Sequence, residues 1–251
     1  MTAEPVAVVT FDFWETLVRD SADNIARART RRLESLRGVL ARAGCQHPWS
    51  ALEQAHERCG VEMTERFWSD NREPSITRQV RLFFDCLESG LCDRLDRDLL
   101  DEAVEAYGSP AFEYPPDLMP GARDALRTLA GRGLRLGIVS NTGRTPGVVL
   151  RRILDRYDLL RYFETVAISY SDEVGFRKPD ARIFTRTLDA LGVAPGRALH
   201  VGDNPHADVA GARACGMRTA HYAIAGRAAS PIADVVVGDL VELPERLRAF
   251  G

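Results

Sequence analysis

Residues 6–18, VAVVTFDFWETLV, constrain this chain more than any other stretch. A run of apolar, β-branched and aromatic residues leads into a single carboxylate, Asp12, and a second apolar run containing Thr16 follows. Such a run reads as a buried strand that delivers an acid to its carboxyl end. In open α/β sheets, ligands bind in the crevice at the carboxyl ends of the strands, so Asp12 is expected where chemistry is done.

After this strand the pattern changes. Residues 20–115 carry apolar positions at helical spacing: Leu33, Leu36 and Leu40, then Leu52, Ala55, Cys59, Met63 and Phe67, then Ile76, Val80, Phe83 and Leu87, and finally Leu99, Leu100, Ala103, Val104 and Tyr107. This predicts four helices packed as a small bundle, with the Pro-rich segment 114–120 as the return linker. From Pro120 onward helices and strands alternate. Strands are expected at 136–139, ending in Ser140 and Asn141, at 165–168, at 198–201, ending in Gly202 and Asp203, at 219–223 and at 235–237. A helix is expected over 207–214, and the loop holding Lys178 and Pro179 precedes another. Strands separated by single helices pair in parallel through right-handed crossovers. The expected fold class is therefore α/β, a doubly wound parallel sheet of Rossmann type. Its core comprises residues 1–19 and 116–251, and an all-helical domain, 20–115, is inserted.

Composition excludes some partners. A net charge of -3 argues against a nucleic-acid protein held by bulk electrostatics. No apolar run is long enough to predict a membrane span. Five cysteines, odd in number and without a CxxC pair, read as reduced thiols in a cytoplasmic protein. Among 33 basic residues Lys178 is the only lysine. That choice suits a site needing a compact charge on a flexible stem, which a planar guanidinium does not supply.

If the strands are parallel, one sheet edge collects Asp12, Ser140 with Asn141, Lys178, and Asp203 with Asp208. Carboxylates gathered at one edge repel unless a cation intervenes, and a hard cation with oxygen ligands, Mg²⁺, is the economical solution. Lys178 and a Ser or Thr hydroxyl could then hold the remaining oxygens of a phosphoryl group while Asp12 attacks phosphorus.

These residues, in order, resemble the haloacid dehalogenase superfamily of hydrolases. The hydrophobic strand and DxDxT-like run are Asp12, Phe13, Trp14, Glu15 and Thr16. The strand ending in Ser is Ser140 in IVSNTG, the Lys-Pro motif is Lys178 in GFRKPD, and the GDxxxxD motif is Gly202, Asp203 and Asp208. A helical insert directly after the first motif resembles the family's type I caps. The resemblance implies Asp12 as nucleophile and metal ligand, the Trp14 carbonyl and Asp203 as further ligands, and Asp208 as a ligand or an acid behind the ligands. Ser140 and Lys178 would bind the transferring group, with Thr16 and Asn141 beside them. Glu173 and Asn141 are expected to fix loops by hydrogen bonds, and His206 to face solvent.

One position departs from the family pattern. Its phosphatases carry a second Asp two residues after the nucleophile to protonate the leaving oxygen, and here Trp14 stands there. If the chain is extended, Asp12 and Trp14 face the same way, Trp14 covers the pocket, and Glu15 points elsewhere. Three readings follow: a Mg²⁺-dependent phosphohydrolase of small phosphorylated metabolites, a 2-haloacid dehalogenase-like enzyme attacking carbon, or a degenerate phosphoacceptor or binding module. The substrate is expected to be a small molecule, and the chain a monomer or homodimer.

Overall fold

A computed structural model describes residues 4–224 and 228–250 of the chain. Residues 1–3, 225–227 and 251, all within the expected core range, lie outside the described residues. In chain order the strands are β1 Val8–Phe11, β2 Val18–Arg19, β3 Asp117–Leu118, β4 Arg135–Ser140, β5 Ile168–Tyr170, β6 Ala198–Gly202, β7 Arg218–Tyr222 and β8 Val235–Val237. Six of them make one parallel sheet in the order β5-β4-β1-β6-β7-β8. β1 is central: Phe11 pairs with Ile138 on one side and Val201 on the other. The chain adds β4 and β5 on one side of β1 and then crosses to add β6, β7 and β8 on the other, and that switch opens a crevice at the carboxyl end of β1.

The helices are α1 Ala22–Arg42, α2 Trp49–Arg66, α3 Ile76–Leu87, α4 Arg97–Gly108, α5 Pro110–Glu113, α6 Ala122–Gly131, α7 Gly147–Arg156, α8 Ser171–Val174, α9 Ala181–Leu191, α10 Gly211–Ala214 and α11 Leu243–Arg246. Alternation along β1 sends Val9 and Phe11 into a cluster with α6, α7 and α11, while Val8 packs with α9 and α10 on the other face. The sheet is thus covered on both sides, which is why β1 is wholly apolar apart from Thr10.

α1 to α4 bury a third cluster of their own, built on Leu36, Leu52, Met63, Phe83 and Tyr107, to which no strand contributes. Three of these helices start at side-chain caps: Ser21 accepts from Asn24 N at 3.0 Å, Ser75 from Arg78 N at 3.4 Å and Asp96 from Leu99 N at 2.9 Å. The chain leaves the sheet and returns to it side by side, because β2 and β3 form an antiparallel ribbon pairing Val18 with Leu118.

Two expected elements shift. Residues Thr165–Ala167 form a 3-10 turn, and the strand begins only at Ile168. The turn is closed by Ala167 N donating to Glu164 O at 2.8 Å, with Glu164 itself held by Arg135. The helix expected at 207–214 opens earlier, as a wide π-type turn over Pro205–Ala210, before α10. The Asn204 side chain starts it by accepting from His206 N and Ala207 N, each at 2.9 Å.

Candidate active site

Asp12 follows β1 directly, and its N–H continues the ladder to Val201 O at 2.9 Å. Its Oδ1 accepts from Phe13 N at 2.7 Å and from Lys178 Nζ at 2.8 Å. The chain then turns sharply. Leu17 N and Val18 N both donate to Phe13 O, and Glu15 adopts a left-handed φ of 55°. The strand ends at Phe11, Phe13 forms a bend, and Trp14 bridges to Val18 before the turn at Glu15. The Trp14 ring is half-buried and packs edge-on to Phe13 at 4.9 Å. Glu15 is drawn toward Arg19, with Nε to Oε2 at 3.1 Å.

Lys178 is the centre of the arrangement. Its side chain is almost fully buried, and besides Asp12 its Nζ bonds Asp208 Oδ1 at 2.5 Å. Burial alone would push the ammonium down, but Asp12 and Asp208 outweigh it and hold the group above the ordinary lysine range. Burial likewise pushes the Asp12 carboxyl above the usual range, against the pull of Lys178, and Asp208 adds to the rise. For Asp208 burial acts the same way, yet Lys178 and His200 together hold it well below the ordinary carboxylate value.

Asp208 is tied down at both oxygens. His200 Nε2 reaches Oδ1 at 3.1 Å, and Asn204 N donates to Oδ2 at 2.9 Å. Burial pushes the His200 imidazole down against the pull of Asp208; the carboxylate can only accept, so the pairing calls for Nε2–H toward Asp208 and leaves Nδ1 to accept from the Thr10 hydroxyl at 2.9 Å. Gly202 makes this return possible, since a Cβ there would lie 2.2 Å from Asp208 Cγ. Asp203, next in sequence, has its carbonyl fixed by His221 Nε2 at 2.9 Å. Asp12, Asp203 and Asp208 each offer a carboxylate oxygen, all within 4.8 Å of one another. The three carboxylates form an oxygen-rich set chemically suited to a hard divalent cation.

The remaining sequence candidates fall around this centre. Ser140, ending β4, and Thr16 are fully buried, and neither hydroxyl has a hydrogen-bond partner of good geometry among the described residues. Ser140 lies near enough to Asp12 to help lower its carboxyl pKa. Asn141 spends both ends of its amide on the Lys178 main chain: Oδ1 accepts from Lys178 N at 2.8 Å and Nδ2 donates to Lys178 O at 3.2 Å. Glu173 pairs with Arg151, Nη2 to Oε2 at 2.8 Å, and His206 is exposed.

Sequence reasoning missed Glu73, from the α2–α3 connection. Its buried carboxylate accepts from Trp68 Nε1 at 2.8 Å, from the Ser171 hydroxyl at 2.8 Å and from Arg177, the residue before Lys178. Ser171 in turn accepts from Thr142 N at 2.8 Å, two residues past Ser140. Glu73 N donates to Gly175 O, and Arg177 N to Asn71 O, so the segments run together as a short antiparallel bridge. His200, Thr10 and His221 were also missed, because a histidine or threonine inside an apolar strand carries no signal of its partner.

A family model described as haloacid dehalogenase-like hydrolase matches residues 6–216. The phosphoserine phosphatase of Thermus thermophilus is 32% identical over 223 residues, covering 84% of this chain and 83% of that protein. The glyceraldehyde 3-phosphate phosphatase of Pyrococcus furiosus is 36% identical over 149 residues, 57% of this chain and 60% of that one. Among solved structures, the 2-haloacid dehalogenase from Pseudomonas syringae pv. tomato aligns with a TM-score of 0.70 at 26% identity. That alignment covers 98% of this chain and 100% of the other.

Proposed function

The chain belongs to the haloacid dehalogenase-like hydrolases, and from that premise we propose that it is a Mg²⁺-dependent phosphohydrolase acting through an aspartyl phosphate on Asp12. The observation that carries this reading is Lys178 bonded to Asp12 and Asp208 with Asp203 alongside.

Two fixed donors occupy Asp12 Oδ1, so Oδ2 makes the attack. The new P–O bond forms as the ester P–O bond breaks, and the leaving oxygen departs with the electron pair. Water then hydrolyses the acyl phosphate, releases inorganic phosphate and restores the Asp12 carboxylate. Lys178 and the buried hydroxyls of Ser140 and Thr16 are the donors for the phosphoryl oxygens, preorganised in a site largely closed to water. Asp12, Asp203 and the Trp14 carbonyl would hold the cation; both Asp208 oxygens are already engaged, which favours its role in positioning Lys178. When bound, Mg²⁺ would neutralise phosphoryl charge beside these residues.

Trp14 has no proton to give a departing alkoxide, so the preferred substrates are small phosphorylated molecules whose leaving group needs little help or carries its own acid. Residues 20–115, with their separate core and ribbon connection, act as the cap over the core formed by 1–19 and 116–251. All five cysteines are free thiols, which suits a cytoplasmic setting.

The test is Mg²⁺-stimulated phosphate release that Asp12→Asn abolishes. No release from a panel that includes acyl and aryl phosphates would overturn the proposal. A second reading, attack on carbon as in 2-haloacid dehalogenases, is favoured by Trp14 and by the similar dehalogenase structure. Halide release from 2-haloacids without metal would establish it instead.

A further inference from the structure

The peptide unit that joins Asp203 to Asn204 is held at both of its polar ends. Its C=O accepts from His221 Nε2 at 2.9 Å, and its N–H donates to Asp208 Oδ2 at 2.9 Å. In a trans peptide these two groups point to opposite sides of one rigid plane, so the two bonds together fix its orientation. The Asp203 Cα lies in that plane. Its setting therefore decides where the Asp203 side chain leaves the backbone, and the same unit steadies the Asp208 carboxylate that bonds Lys178.

His221 lies near the end of β7, is 1% exposed, and stands opposite Gly202 in the parallel register. Two residues earlier Thr219 is opposite His200, so alternation puts both histidines on one face of the sheet. One stands behind Asp208 and the other behind Asp203. The proton on His221 is placed by its neighbours. A backbone N–H can only donate, so Nδ1 accepts from Ser230 N at 3.0 Å and carries no hydrogen, while a carbonyl oxygen can only accept, so Nε2–H points at Asp203. Ser230 is buried too, and the turn it opens is tied back to β7. Asp234 Oδ2 accepts from Thr219 N at 2.8 Å, and Asp234 N donates to Thr219 O at 3.1 Å. An apolar side chain at 221 would remove the donor from one buried main-chain group and the acceptor from another, which packing alone does not demand.

We propose that His221 is a positioning residue for the cation site, holding the Asp203–Asn204 peptide so that the Asp203 carboxylate is presented beside Asp12. This rests on the reading of Asp12 and Asp203 as Mg²⁺ ligands. It makes cation affinity depend on a ring and a turn, 230–234, that would touch neither the ion nor the substrate. Groups that orient metal ligands from behind are worth roughly 10- to 100-fold in affinity.

Calorimetric titration of the full chain with Mg²⁺ tests this with two variants. A glutamine amide can place an N–H where Nε2 was, and an asparagine amide an oxygen where Nδ1 was. His221→Gln, which keeps the donor to Asp203, should bind Mg²⁺ within about threefold of the wild type, and His221→Asn, which keeps only the acceptor for Ser230, about tenfold more weakly. Wild-type affinity in His221→Asn, or equal losses in the two variants, overturns the proposal. Should His221→Asn fail to fold, nitrogen NMR of the wild type decides: Mg²⁺ is expected to shift His221 Nε2 and the Asn204 amide with one midpoint, and unmoved signals overturn it. If the wild type binds no Mg²⁺, the cation reading has failed separately. Amide exchange at Asn204 then reads the hold on the peptide, expected about tenfold faster in His221→Asn than in His221→Gln, with equal rates counting against it.

Discussion

Lys178 Nζ stands 2.8 Å from Asp12 Oδ1 and 2.5 Å from Asp208 Oδ1, so one ammonium holds apart two carboxylates that would otherwise share a buried space. Lys178→Met leaves both acids uncompensated and is expected to destabilise the metal-free chain by about 3–5 kcal/mol near neutral pH. The pH dependence has a definite sign. The folded lysine titrates above its ordinary 10.5, so its stabilising contribution is fully present below that value and falls only as pH rises through the higher folded one. In the variant the paired acids titrate upward, and protonating them on acidification relieves the repulsion. Urea unfolding in EDTA should therefore show a gap between wild type and variant that is flat from about pH 7 to 9 and narrows toward pH 5. A gap that widens on acidification would contradict this account.

Asp208 is oriented by His200, and His200 by Thr10, through bonds of 3.1 and 2.9 Å. The Asp208 carboxylate can only accept, which places the proton on Nε2, and the Thr10 hydroxyl then donates to Nδ1 and supports that tautomer. Thr10→Val keeps the shape and removes this constraint, which should cost about 1–3 kcal/mol in stability. Nitrogen NMR of the histidine ring should show the proton on Nε2 in the wild type. A wild-type Nδ1–H would reverse the assignment.

Glu73 ties the helical insert to both loops of the site, through Arg177 next to Lys178 and through Ser171 to Thr142. Glu73→Gln removes the negative charge facing Arg177 while keeping an acceptor for Trp68 or Ser171. The expected result is a roughly tenfold fall in kcat/KM from a loosened Lys178, with faster amide hydrogen exchange across 171–178. Glu73→Asp should recover part of both. Unchanged exchange in that segment would show that Arg177 and Lys178 are held without Glu73.

These dependencies explain what the sequence could and could not reveal. Asp12, Ser140, Lys178 and Asp203 were legible because each ends a strand or fills a loop of recognisable pattern, and a parallel sheet brings such ends together. Glu73 was not, because its partners lie 98 and 104 residues away and nothing local distinguishes it from other acids on the helical segment. His200 looked like a strand interior position, and only the return of Asp208 over Gly202 gives it a partner. The start of β5 was misplaced because Val166 and Ala167 are apolar enough to read as strand, whereas the Glu164 carbonyl closes them into a turn. The short β2–β3 ribbon carries no period of its own and follows from where the chain leaves and re-enters the core.

In the proposed reaction Trp14 stands where the family's phosphatases carry their proton donor, an indole has no proton to give an alkoxide, and Glu15 beside it is held by Arg19 in a left-handed turn. Without a general acid the rate must depend steeply on leaving-group basicity. Aryl phosphates with acidic phenols should be hydrolysed well, and simple alkyl phosphates poorly. Trp14→Asp keeps the main-chain carbonyl at that position and adds a carboxyl beside the leaving group. It is expected to raise turnover of alkyl phosphates by about 10²-fold, at the low end of what general acids contribute, with little gain for p-nitrophenyl phosphate. The measurement is the slope of log kcat/KM against leaving-group pKa, which should flatten in Trp14→Asp. A wild-type slope already near zero would mean that another group protonates the leaving oxygen, and the substrate's own acid or the helical insert would then have to supply it.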